Sequence, residues 1–280
     1  SVRPEVLEGR PQLFPRPTEG EGQGEGILLT IVHRQRWAPQ DIDKSPKTAE
    51  NHRNHGKIIV MRPICWLHIS DIHMRVSEEW SHDVVLEAMC QNITQQRREG
   101  ASADFILATG DLAFSGKVDE YRLVGEFFNA LSKASGVSKE RIFCIPGNHD
   151  VDRDRQKMCF QGVRHVLLST SHVDSFLIPG EDLETLQQRQ ETYRNFLGSY
   201  FQGQDRAWTP DGLGYVSCVV IDDVRFAIIG LNSAWLAEGG LSDHGKLLLG
   251  ERQAIDAVAL ARKLDPHVVI AMAHHPFHLL

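Results

Sequence analysis

Six short apolar runs, each ending in a small polar cluster or a turn, set the limits on what this 280-residue chain can fold into. They lie at 64–70 (ICWLHIS), 105–109 (FILAT), 141–146 (RIFCIP), 216–221, 225–231 and 267–273 (HVVIAMA). Runs this short and this rich in β-branched residues read as strands. Their nearly continuous hydrophobicity predicts burial on both faces of a sheet. Segments of helical period separate them. Val84, Val85, Ala88, Met89 and Ile93 form one stripe, Val124, Phe127, Phe128 and Leu131 another, and 187–201 and 246–264 repeat the pattern. Gly100 and Gly136 stand where helices stop, and Asp222–Asp223 reads as a hairpin turn. The fold class is α/β, with strand–loop–helix units first and an antiparallel pair later.

Residues 1–60 break this regularity. They hold Pro4, Pro11, Pro15, Pro17, Pro39 and Pro46, a Gly/Glu tract from Glu19 to Gly26, and only Phe14 and Trp37 as aromatics. One apolar run, Ile27 to Val32, is too little for a core. The segment is expected to be a disordered or non-native N-terminal extension, with Met61 as the natural start and one domain over 61–280. A net charge of −7 argues against a broad basic nucleic-acid footprint. No stretch is long and apolar enough to span a membrane, and the N-terminus lacks the order of a signal peptide. Five scattered cysteines without a C-x-x-C pair fit neither a disulfide framework nor a zinc knuckle, so a reducing cytoplasm is the expected compartment.

The chemistry stands at the strand ends. The first strand ends in Ser70-Asp71-Ile72-His73, the second in Gly110-Asp111, the third in Gly147-Asn148-His149-Asp150 and the last in His274-His275-Pro276. Loops at the carboxyl ends of strands converge in α/β sheets, so these groups would meet in one crevice. Carboxylate, amide oxygen and imidazole together suit Mn²⁺, Fe or Zn²⁺. A carboxylate at the mouth of a middle strand has two oxygens and can bridge two ions, the clamp used for in-line displacement at phosphorus.

The ordered series D-x-H, G-D, G-N-H-D and H-x-P is similar to that of the calcineurin-like metallophosphoesterases. The strings LHISDIHM, FILATGDLAFSG and CIPGNHDVDR resemble the bacterial members, including those called class III cyclic-nucleotide phosphodiesterases. The resemblance covers 64–280. It implies a two-sheet β-sandwich flanked by helices, a four-layer αββα fold, and a cofactor of two divalent metal ions. Asp71 and His73 would bind the first ion, Asp111 would bridge both, and Asn148 with His274 would bind the second. His274 is preferred to His275 because it lies two residues before the proline. His149 would donate to the phosphoryl oxygens or leaving group, with Asp150 holding its ring. The family's closing G-H-x-H element has no counterpart after His274, and His278 lies too near the strand end to replace it. The chain is therefore expected to be truncated, with room for a further C-terminal domain.

Each motif alone has a plainer reading: Asp71 as a helix N-cap, Gly110-Asp111 and Gly147-Asn148 as turns. Four in family order override it. His68 is expected to be structural and Trp235 to pack. Arg153–Arg155 reads as a solvated face, with contact to a substrate phosphate as its alternative. The implied function is metal-dependent hydrolysis of a phosphate ester, a phosphodiester by preference, through hydroxide activated by a dinuclear, manganese-type centre. The expected partner is a small phosphodiester or nucleotide. A nuclease with the same site, disfavoured by the acidic balance, and a non-catalytic scaffold are the alternatives.

Overall fold

A computed structural model describes residues 62–76, 79–169, 173–239, 243–276 and 280, together with the backbone of two strands nearer the N-terminus. In chain order the elements are β1 (Gln12–Leu13), β2 (Leu28–Gln35), β3 (Ile64–Ser70), α1 (Glu79–Arg98), β4 (Phe105–Thr109), α2 (Val118–Ser135) and β5 (Ile142–Ile145). Four helices follow: α3 (Lys157–Ser169), α4 (Val173–Phe176), α5 (Glu181–Gln187) and α6 (Glu191–Tyr200). Then come β6 (Ala207–Trp208), β7 (Tyr215–Ile221), β8 (Val224–Gly230), α7 (Glu251–Lys263) and β9 (Val268–Met272). One sheet runs β1-β2-β3-β4-β5, with β3, β4 and β5 parallel; the other runs β6-β7-β8-β9, with β8 and β9 parallel.

Strand period explains the layering. Side chains alternate across a strand, so Phe105 and Leu107 face one way while Ile106 and Ala108 face the other. The first pair joins Ile64, Phe143 and Ile145 against Val219, Phe226 and Ile228 of the second sheet. The second pair packs under Met89 and Ile93 of α1, Val124, Phe128 and Leu131 of α2, and Phe196 of α6. Beyond the second sheet, Val216, Ala227 and Ile229 meet Ala257 and Ala261 of α7. The order is helices, sheet, sheet, helix, as the resemblance implies. No helix among the described residues is long and apolar enough to cross a membrane.

Local chemistry fixes the elements near the strand ends. Glu120, in the first turn of α2, accepts from the Ser115 and Lys117 N–H groups (2.9 and 3.1 Å) and the Ser115 hydroxyl (2.6 Å). This caps the helix and ties it to the loop after β4. Asp222 and Asp223 both take positive φ, 48° and 66°, and close the β7–β8 hairpin as expected.

Several details differ from the sequence expectation. The buried stripe of α1 is Leu86, Met89 and Ile93, while Val84 faces outward. The 187–201 segment is divided, with a 3₁₀ turn at Gln188–Gln190 before α6. β9 is not buried on both faces: it alternates, with Val268 and Ile270 packed against the inter-sheet core and Val269, on the other face, 52% exposed. Of the cysteines in apolar runs, Cys65 and Cys144 are buried and Cys218 is exposed. Within 1–60, the Ile27–Val32 run falls largely in β2, antiparallel to β3. The remainder of that segment apart from β1, with Met61 and His278, lies outside the described residues.

The Cys144 carbonyl accepts from two tyrosines on opposite sides of the sheet, Tyr193 of α6 (2.8 Å) and Tyr215 of β7 (2.9 Å). Tyr193→Phe or Tyr215→Phe alone leaves it one partner and should cost about 1 kcal/mol. The double variant orphans the buried acceptor and should cost more than the sum. Urea midpoints of the three variants check this, and strict additivity would mean that the shared carbonyl does not couple the layers.

Candidate metal centre

The loops after β3 and β4 are stitched together by their main chains. Asp71 N–H donates to the Gly110 carbonyl (3.1 Å), His73 N–H to that of Asp111 (2.8 Å) and Met74 N–H to that of Leu112 (2.9 Å). Asp71, His73 and Asp111 sit in the left-handed region, at φ 60°, 52° and 52°. Each such residue costs about 1 kcal/mol or more, and strain of this kind collects where geometry serves a function. The stitching holds the backbone there and turns three polar side chains toward one point.

That point is the Asp111 carboxylate, which is almost wholly buried. Oδ1 accepts from the His149 N–H (2.8 Å), while Oδ2 lies 3.5 Å from His73 Nε2 and 3.4 Å from His274 Nε2. Two glycines make room. A Cβ on Gly147 would overlap the Asp111 carboxylate, and one on Gly110 would lie 2.6 Å from His274 Nδ1. The glycines of G-D and G-N-H-D are therefore required by close approach as much as by turning.

Electrostatics follow from this packing. Burial alone would raise the Asp111 pKa, but the hydrogen bond and charge of His274 hold it below the usual carboxylate range. Burial would lower His274; the Asp111 carboxylate prevails and lifts it to about 9. Its Nδ1 lies 2.7 Å from the Thr109 carbonyl, which fixes the ring so that Nε2 faces Asp111. A protonated His274 thus supplies positive charge where carboxylates converge.

Asp71, Asp111 and His274 form one group of converging ligand atoms, and His73, Asp111 and His149 form a second, the atoms in each lying within 4.8 Å of one another. Asp111 belongs to both. Buried carboxylate and imidazole donors around one shared residue suit a divalent cation such as Mn²⁺, Fe²⁺ or Zn²⁺. The partition differs from the one the resemblance implied. His274 stands with Asp71, and the Asn148 amide oxygen meets His275 Nε2 at 3.2 Å. His73 Nε2 is also 3.8 Å from Asp71 Oδ1, so the D-x-H pair remains together.

Asp150 does not hold the His149 ring. That ring is held by the Phe114 carbonyl, 2.7 Å from Nδ1, and lies edge-on to His73 with centroids 4.4 Å apart. A carbonyl only accepts, so Nδ1 carries a proton. Burial lowers the His149 pKa, against the pull of Asp111. Asp150 instead accepts from the N–H groups of Leu112, Ala113 and Gly147 and from the Tyr121 hydroxyl, all within 2.8–3.1 Å. Burial, with Asp111 nearby, raises it to about 6. It is the clasp that joins the loops after β4 and β5.

Sequence reasoning missed the supports. Ser233 lies 2.9 Å from His275 Nδ1, so Ser233, His275 and Asn148 form a chain behind the centre. The His-His doublet hinted at His275; nothing local marked Tyr121, Ser233 or the Phe114 carbonyl. His68 is structural, 2.7 Å from the Thr109 hydroxyl, and Trp235 stacks on Phe176.

Residues 66–278 match the sequence pattern of the family described as calcineurin-like phosphoesterase. A curated relative, the uncharacterized metallophosphoesterase-like protein YydB of Bacillus subtilis (strain 168), is 26% identical over 224 residues, 75% of this chain and 42% of that protein. The chain thus spans about two fifths of the length of the curated relative it matches.

The His274–Asp111 pair predicts how the metal-free protein responds to pH. His274 binds its proton more tightly when folded (about 9) than at its ordinary value of 6.5. Its stabilisation is complete below about 6.5 and is lost as pH rises through about 9. Denaturation midpoints should therefore fall across that window, and Asp111→Asn should flatten the slope. An equal slope in the variant would assign it to other groups.

Proposed function

The chain belongs to the calcineurin-like phosphoesterase family, and we propose that it hydrolyses a phosphodiester of small-molecule or nucleotide type with divalent metal ions as cofactor. The observation that carries this reading is the convergence of Asp71, His73 and His274 around the buried Asp111 carboxylate. Asp71, His73, Asp111, Asn148 and His274 would hold the ions. Bound there, divalent cations (Mn, Fe or Zn) would make water acidic enough to ionise near neutral pH and would offset charge on the phosphoryl oxygens. The acidic net charge favours a small substrate over a nucleic acid. The scattered cysteines, without a C-x-x-C pair, favour a cytoplasmic setting.

The chain's own residues supply position and a proton. Asp111 is fixed before any ligand arrives, by the His149 N–H and the two flanking glycines. His149 has Nδ1–H committed to Phe114, so Nε2 is the nitrogen that meets substrate. It donates only from the doubly protonated ring. An anionic phosphoryl group at hydrogen-bond distance favours that form and opposes the effect of burial. In the reaction a water oxygen bonds to phosphorus, losing a proton to solvent, as the P–O bond to the leaving group breaks, and the departing oxygen takes the proton from His149 Nε2. Asp150 and Phe114 keep the loop and ring in register without touching substrate.

Two variants test the assignment in protein supplied with Mn²⁺. Asp111→Ala removes the shared ligand, so metal content and hydrolysis of bis(p-nitrophenyl) phosphate should both be lost. His149→Gln should retain metal and lower turnover on the order of 10²-fold, less for a nitrophenyl ester than for an alkyl one. Loss of metal from His149→Gln would make His149 a ligand. Undiminished turnover on both esters would make it a structural part of the loop.

A further inference from the structure

We propose that Arg153 is a substrate-binding residue whose guanidinium takes the non-bridging oxygens of the phosphoryl group presented at the metal centre. The inference rests on the phosphoesterase reading above and extends it to a residue outside the donor groups.

Arg153 follows the Gly147–Asp150 loop, and its Nη2 donates to the carbonyl of Asn148 (3.3 Å), the residue before His149. The guanidinium lies flat on Gly239, where a Cβ would stand 2.6 Å from Nε and 2.8 Å from Nη1. The loop before α3 and the segment after β8 therefore hold the group between them.

Lys117 and the other arginines around this loop have carboxylate partners or a stacking partner. Lys117 pairs with Asp152 and Asp154 (2.6 and 3.0 Å), and Arg155 pairs with Glu191. Arg164 takes both Glu238 and Asp243. Arg189, 2% exposed, stacks 3.5 Å over the Phe160 ring and donates to the Ala237 carbonyl. Arg153 has no carboxylate within ion-pair distance among the described residues, and its Nε is buried without a hydrogen-bond partner there. Three guanidinium groups thus share two carboxylates, and Arg164 holds both.

Physical chemistry points to an anion. A partly buried guanidinium beside a second one, and beside a centre that gathers cations, is repelled by both unless a negative group joins it. A phosphoryl group has the charge and the paired oxygens that match a guanidinium fork, which an ammonium cannot reproduce.

The test uses the full chain loaded with Mn²⁺ and inorganic phosphate as probe, read by calorimetry, beside metal analysis and hydrolysis of bis(p-nitrophenyl) phosphate. Arg153→Met should keep the metal content and weaken phosphate binding about 10- to 100-fold. Its KM should rise by a similar factor, with a smaller change in kcat. Arg153→Lys, which retains charge but loses the fork, should recover part of the affinity. Phosphate affinity within about twofold of the unmodified protein in both variants would overturn the proposal. Loss of metal from both would also overturn it, assigning Arg153 to support of Asn148. If the unmodified protein binds phosphate through Arg153 but cleaves no ester, the anion site stands and the phosphodiesterase reading falls.

Discussion

The buried carboxylate of Asp111 is the contact on which the other features of the centre depend. A carboxylate out of water must be met by donors or cations, and here each oxygen is met from a different part of the chain. Oδ1 draws in the G-N-H-D loop through a main-chain N–H; Oδ2 draws in the imidazoles that follow β3 and β9. Gly110 and Gly147 give way around it. The left-handed backbone at Asp71, His73 and Asp111 is the conformational cost of that convergence.

Asp111 and Asp150 show how one side-chain chemistry yields two functions. Both are buried at the same loop junction. Asp111 faces imidazoles and is held ionised. Asp150 faces three N–H groups and a phenol, with no basic side chain among its partners, and burial raises it to about 6. The first can share a cation; the second joins two loops. Position along the chain does not distinguish them, since each is an aspartate next to glycine or histidine in a turn-like sequence.

This limits what the amino-acid sequence reveals. The runs at 64–70 and 105–109 match β3 and β4 because period and length identify strands in a buried parallel sheet. The polar clusters holding Asp71, His73, Asp111, Asn148 and His149 are visible because they stand at strand ends, and these residues are singled out by the resemblance of their ordered motifs to the family. Partners could not be named, because they join residues distant in sequence: Phe114 with His149, Tyr121 with Asp150, Ser233 with His275. The exposed face of β9 escaped notice for a related reason. Hydrophobicity marks a strand, but whether both of its faces are covered depends on the elements packed against it.

The two sheets contribute unequally to the centre, and this has a consequence for how it comes into being. Asp71, His73, Asp111, Asn148 and His149 follow strands of the first sheet, whereas His274 and His275 follow β9 of the second. The hydrogen bond from His274 to Thr109 spans 165 residues of chain, and the one from His275 to Asn148 spans 127. Contacts so distant form after local ones, because closing long loops costs entropy before anything is gained. A nascent chain can assemble β3, β4 and β5 with their helices and still lack half of its imidazoles. The centre is thus a seal set when the two halves dock, and an ion that needs His274 registers completed folding and cannot template its start.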